Sequence, residues 1–306
     1  MRAVTYNAYA QDNARLRHGE VPDPKVAPGQ VLIQVRAAGV NPVDWKLMAG
    51  GLDGMMDAVF PVIPGWDVAG VVTGLGPDVP DFTVGDEVMA YARKDVVHAG
   101  TFAEYVAVDA MAVARKPAAL DWPRAAGLPL VGLTALRSLD RMDVGAGDTL
   151  LVHGASGGVG SLGVQLAVDR GARVIGTASE RNHDFVRSLG AEPVAYGDGV
   201  VERVLAAAPG GVSAVADFVG GQLDVTLAVL APDGRHVSIA DPTVQQHGGQ
   251  WIWVRPDGAK LAELASVADR GALTVEIAGT FPLEETGAAF DASRTGRTRG
   301  KLVVVL

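Results

Sequence analysis

The chain contains no cysteine. That one absence excludes disulfides, thiolate zinc sites and cysteine nucleophiles. Aromatic residues make up only 6% of the chain, and no apolar run reaches the length of about 20 residues needed to span a bilayer. The opening MRAVTYNAYA lacks the apolar core of a signal peptide. No Lys/Arg-rich block is present and the net charge is −9 at pH 7, so neither nucleic acid nor an anionic membrane is an expected partner. A cytoplasmic protein acting on a small molecule is expected. What remains is core-forming material: 48% of the 306 residues are apolar and 20% charged, enough for two domains.

The first third reads as strands. GQVLIQVRAAGV, DVAGVVTGLG, VGDEVMAYA and GTFAEYVAVD are separated by glycines and prolines, a pattern that predicts a small β-barrel. The pattern changes near residue 119. LDWPRAAGLPLVGLTALRSLDRM has helical spacing. Strand-like and helix-like runs then alternate from DTLLVHG to GRHVSIA, which predicts a doubly wound parallel sheet flanked by helices. The predicted seams place 1–118 and 272–306 in the β domain and 119–271 in the α/β domain.

GASGGVG, residues 154–160, follows a strand and opens a helix, the context a dinucleotide-binding turn requires. Gly157 is expected to adopt an unusual backbone shape, Gly158 to let a pyrophosphate approach, and Gly160 to seat the helix against the strand. With Ala155, Ser156 and Val159 they form the expected phosphate cradle at a helix N-terminus. The end of the next strand, RVIGTASERN, has no acidic residue where NAD-binding chains usually place one. Ala178 leaves room for a 2′-phosphate, Ser179 can donate to it, and Arg181 brings positive charge, so NADPH is the expected cofactor. Glu180 is expected to face solvent. The competing reading of Arg181 is a solvated helix start.

AAGVNPVDWK, PVIPGWDVAGVV, VGDEV, GTFAEYVAV, LPLVGLTAL, VHGASGGVGS and TRGKLVVVL together resemble the medium-chain dehydrogenase/reductases, in their quinone oxidoreductase (zeta-crystallin-like) branch, over nearly the whole chain. The resemblance implies a GroES-like catalytic β-barrel built from both chain ends, an inserted Rossmann domain, an active-site cleft between the two, and a homodimer. Zinc-dependent members of the superfamily place a Cys and a His where this chain has Asn41 and Trp66, and none of its six histidines pairs with another at ligand spacing. A metal-free site is therefore expected, with each histidine on the surface or fully partnered. Without a Lewis acid, the expected reaction is hydride addition to a quinone or α,β-unsaturated carbonyl, whose product charge is delocalised.

The resemblance also implies roles. Asn41 would hold the substrate oxygen or the cofactor, although Asn-Pro equally starts a turn. Asp44 would orient a water or a donor, or make a structural hydrogen bond. Thr134 would meet the nicotinamide, or bond its own helix backbone. Tyr196 would lie near the adenosine phosphate, or simply pack. Lys301 would lie near the cofactor, or be a surface cation. The enoyl-thioester reductases carry a proton-donating tyrosine where this chain has Leu52, so the proton source stays open. Trp251 and Trp253 alternate along WIWV and would share one strand face, lining either a pocket or a dimer interface. Two other functions stay open: a reductase dedicated to one biosynthetic enone or aromatic intermediate, and a low-turnover NADPH-binding sensor or structural protein.

Overall fold

The computed structural model describes all 306 residues. They form two compact units, Met1–Leu130 with Arg255–Leu306, and Val131–Val254. The first opens with β1 (Arg2–Thr5), β2 (Arg17–Glu20) and β3 (Gln30–Val40). Then come α1 (Pro42–Met48), β4 (Ala58–Ile63), β5 (Asp67–Leu75), β6 (Glu87–Tyr91), β7 (Val97–Ala99), β8 (Tyr105–Asp109), β9 (Val113–Arg115) and α2 (Trp122–Gly127). After α3 (Pro129–Arg141) the chain alternates: β10 (Thr149–His153), α4 (Gly158–Asp169), β11 (Arg173–Ala178), α5 (His183–Ser188), β12 (Glu192–Ala195), α6 (Val200–Ala207), β13 (Val212–Asp217), α7 (Leu223–Val229), β14 (Leu230–Ser238) and β15 (Gln250–Trp251). It ends with α8 (Gly258–Asp269), β16 (Ile277–Pro282), α9 (Thr286–Arg294) and β17 (Lys301–Val305).

In the first unit the main sheet runs β16-β17-β3-β5-β6-β9, and β8 pairs with the start of β3. Along β3, burial alternates from Gln30 to Val35 and then becomes continuous from Ala37 to Val40. The alternation marks a strand with one covered face. The continuous stretch arises where β17 lies along β3 and α2 and α9 pack on it. This doubly covered end of β3 delivers the chain into Asn41.

In the second unit all pairings are parallel and the order is β12-β11-β10-β13-β14-β15, the doubly wound arrangement expected from the sequence. β10, β11 and β13 are buried almost without interruption, as strands between two helical layers must be. Leu151, Ile175, Val204 and Val215 centre one core cluster. No helix in the chain is long and apolar enough to cross a membrane.

The units part at 130 and 254, while the change in hydrophobic pattern suggests seams at 118 and 271. The difference is α2 and α8. α2 packs on β3, β5 and β17, and α8 packs on β9, so both helices belong to the β unit although they read like the alternating segment. β15 ends at Trp251, so Trp253 lies beyond the strand and the two indoles share no strand face. Their rings lie 6.1 Å apart, tilted by 56°.

Candidate active site

The register of the first unit brings together residues far apart in sequence. Leu302 pairs with Val40, which sets Lys301 beside Asn41, and Ala69 pairs with Ala37, which sets Asp67 at the same end of the sheet. Asn41 Nδ2 donates to Asp67 Oδ2 at 2.9 Å. Lys301 Nζ donates to Asn41 Oδ1 at 2.5 Å and to Val40 O at 2.8 Å, and lies 3.8 Å from Asp67 Oδ2. Asp67 Oδ1 accepts the Leu130 N–H at 2.8 Å. Asn41, Asp67 and Lys301 are all buried. An ammonium only donates and a carboxylate only accepts, so the two partners fix which way the Asn41 amide faces. One hydrogen on Asn41 Nδ2 is left without a protein acceptor. Burial pushes the Asp67 carboxyl up to about 6, opposed by Lys301 and by the Asn41 and Leu130 N–H groups. Burial also pushes the Lys301 ammonium down.

Asn41 precedes α1 in extended conformation, Pro42 opens the helix, and Asp44 Oδ2 accepts the Asn41 N–H at 2.8 Å. Asp44 Oδ1 is buried without a partner, and the residue lines a cavity of about 10 Å³ with Tyr6, Trp66 and Lys94, room for about one water. Burial raises the Asp44 carboxyl to about 8, the Asn41 N–H and Lys301 pull it down, and Asp67 pushes it further up. The native state therefore holds a proton on Asp44 that the unfolded chain releases near its ordinary value of 3.8. Stability from this group is complete below the unfolded value and is lost as pH rises through 8. Asp44→Asn, neutral at every pH, is expected to flatten the fall in unfolding free energy between about pH 5 and 8 by up to ~1.4 kcal/mol per pH unit. Urea titrations at a series of pH values measure it, and an unchanged slope would assign the titration to another group.

In the second unit, Gly154 turns the chain after β10 in the left-handed region at φ +75° and donates its N–H to Thr177 Oγ1 at 3.1 Å. Gly157 has an ordinary φ of −79°, so the unusual backbone shape expected of Gly157 belongs to Gly154. The reason is position: the reversal falls on the first residue after the strand. A Cβ on Gly160 would lie 2.1 Å from the Gly154 carbonyl oxygen, so α4 closes on the turn as expected. The N–H groups of Ala155 and Gly157 are engaged by Thr177 O and Gly154 O. The first i→i−4 bond of α4 runs from Ser161 N–H to Gly157 O, and no side chain caps the helix. The amides of Gly158, Val159 and Gly160 thus await an acceptor, with Ser156 half-buried beside them. This cradle and helix start fit a pyrophosphate. Beyond β11, Ser179 is half-buried, Arg181 is exposed with no acidic partner, and Glu180 is exposed. Ala195 pairs with Ala178, which sets Tyr196, 63% exposed, level with Ser179. These residues fit a phosphorylated ribose.

Thr134 is buried within α3, where its carbonyl accepts from Ser138 Oγ. Lys301, expected near the cofactor or at the surface, stands beside Asn41 in the β unit, and at 4% exposure it is no surface cation. Asp67 was missed, although an acid opening the apolar run DVAGVV is a signal. His153 is neither at the surface nor fully partnered. The continuous burial of β10 places its Nε2 inside without a partner, and burial holds the ring down at about 4, neutral. At the two zinc-ligand positions stand Asn41 and Trp66, the latter edge-on to Tyr91 with ring centroids 6.0 Å apart.

Residues 27–118 match the alcohol dehydrogenase GroES-like domain, and residues 189–304 match the zinc-binding dehydrogenase family. An NADPH-dependent alkenal/one oxidoreductase of Arabidopsis thaliana is 34% identical over 99% of this chain and 79% of its own length. The solved quinone oxidoreductase of Coxiella burnetii is 34% identical, with a TM-score of 0.88 over 100% of this chain and 99% of that one. A mycobacterial protein solved in complex with NADPH is 29% identical, with a TM-score of 0.86 over the whole of both chains.

Proposed function

Because the chain belongs to the medium-chain dehydrogenase/reductase superfamily, in its quinone oxidoreductase branch, we propose that it is an NADPH-dependent reductase of quinones and α,β-unsaturated carbonyls. The same reading makes it a cytoplasmic homodimer acting on small molecules. Ala155 to Gly160, Ser179, Arg181 and Tyr196 would hold the cofactor, which supplies the hydride when bound.

The observation that carries the reading is the amide of Asn41. Its oxygen is held by Lys301 and one of its hydrogens by Asp67, and the second hydrogen is unengaged. Hydride addition to a quinone or enone leaves negative charge on oxygen. A fixed N–H donor stabilises that charge without reorganising, in the manner of an oxyanion hole. Lys301 and Asp67 keep the donor aimed and stop it turning its oxygen towards the anion. Asp44, protonated at neutral pH and facing a water-sized cavity, would hold a proton beside this group.

NADPH oxidation with a panel of small quinones and a panel of small enones, with a chelator present, tests the function. Turnover with at least one panel is expected, undiminished by the chelator. No turnover with either panel, while NADPH still binds, would overturn the reading. Asn41→Ala is expected to lower kcat by ~10²- to 10³-fold, the scale of losing one oxyanion donor. Steady-state kinetics measure it, and an unaltered kcat would remove Asn41 from the mechanism.

A further inference from the structure

Asn182 closes the short turn Glu180–Asn182 after β11 and is only 9% exposed. Its Nδ2 donates to Ser156 Oγ at 3.1 Å and to Ser179 Oγ at 3.2 Å. One buried amide therefore ties the glycine turn to the end of the next strand. A serine hydroxyl has one hydrogen to give and lone pairs to accept with. Here both oxygens accept from Asn182, so both O–H groups are free to point elsewhere, and neither donates to a protein acceptor. The guanidinium of Arg181, one residue before Asn182, has no acidic partner. Two uncommitted hydroxyl donors and an unpaired guanidinium are a donor set for an oxyanion of double charge.

We infer that Asn182 is a positioning residue that presents Ser156 and Ser179 as paired donors to the 2′-phosphate of NADPH, and thereby sets the preference for the phosphorylated cofactor. The inference rests on the NADPH reading above and adds to it a residue outside the expected binding set. The geometry gives it a chemical sign. A carboxylate in place of the amide would accept from the two hydroxyls, draw their hydrogens inward and repel a phosphate. A residue with no polar group would leave both hydroxyls free to rotate.

Calorimetric titration of the full chain with adenosine 2′,5′-bisphosphate (2′,5′-ADP) and with 5′-AMP separates the 2′-phosphate from the rest of the nucleotide. The unsubstituted protein is expected to bind 2′,5′-ADP at least ~10-fold more tightly than 5′-AMP. Asn182→Ala is expected to cut that ratio ~10-fold and Asn182→Asp to abolish it, since hydrogen bonds to a charged group carry energies of this size. Loss of packing alone would weaken both nucleotides equally and leave the ratio intact. Thermal unfolding of each variant identifies the folded ones, and the two substitutions differ enough in chemistry that either can decide. A preference for 2′,5′-ADP that survives in the folded variants would overturn the role of Asn182 while leaving NADPH as the cofactor. No preference in the unsubstituted protein would overturn the NADPH reading and this inference with it.

Discussion

Lys301→Met is expected to destabilise the protein by about 3–5 kcal/mol, the cost of removing one member of a buried ion pair. The substitution keeps the bulk of the side chain and removes its charge. Asp67 would then be a fully buried carboxylate whose remaining partners are the Asn41 amide and the Leu130 N–H. Its carboxyl, already raised to about 6 by burial, would rise further without the ammonium that now opposes the shift. A carboxyl with a raised native value contributes stability below its unfolded value and loses it as pH rises through the native one. The deficit of the variant should therefore shrink towards about pH 4 and widen towards pH 8. Adding Asp67→Asn should recover part of the loss, since a neutral amide needs no counter-charge. Denaturant titration at two pH values measures all three. An equal deficit at both would mean that the charge on Asp67 is not what Lys301 holds.

Gly160→Ala should weaken cofactor binding ~5- to 150-fold, and Gly157→Ala should be mild. The added carbon at 160 would meet the Gly154 carbonyl oxygen at 2.1 Å and its carbon at 2.8 Å. These atoms belong to a peptide whose flanking N–H groups, at Gly154 and Ala155, are held by Thr177, so neither can move aside cheaply. Overpacking of this kind costs about 1–3 kcal/mol, which expressed on cofactor affinity is ~5- to 150-fold. At 157 the nearest atom to an added carbon is at 3.3 Å and φ is ordinary. Equilibrium titration with NADPH compares the two variants. Equal losses would mean that the turn does not depend on the close approach of α4.

The features legible in the sequence are the ones that local pattern dictates. A parallel sheet follows from alternating strand-like and helix-like runs, and Gly160 from its distance after a strand. Asn41 and Asp44 were singled out by the resemblance of AAGVNPVDWK to the family, since one short segment carries both. That Lys301 and Asp67 both meet Asn41 depends on the register of β17 and β5 against β3, which no local window contains. Gly154 and Gly157 are both glycines in one turn, and only the path of the backbone decides which takes positive φ. Asn182 in SERN reads as an ordinary turn residue until the fold brings Ser156 to it. The seams at 130 and 254 escaped because α2 and α8 have helical sequences whichever unit they pack on.

The pairing of Lys301 with Asn41 spans 260 residues. At a synthesis rate of about 5–20 residues per second, the ribosome takes roughly 10–50 s to go from one to the other. Through that interval the whole of Val131–Val254, a compact unit of its own, is made. Meanwhile Ala37–Val40 of β3 lacks its neighbour, because β17 supplies that edge. The nascent chain thus carries an open apolar strand edge and an uncompensated carboxylate at one spot. The arrival of β17 closes the edge and brings Lys301 to the carboxylate, so the Asn41 amide is held from both sides only in a chain translated through that strand.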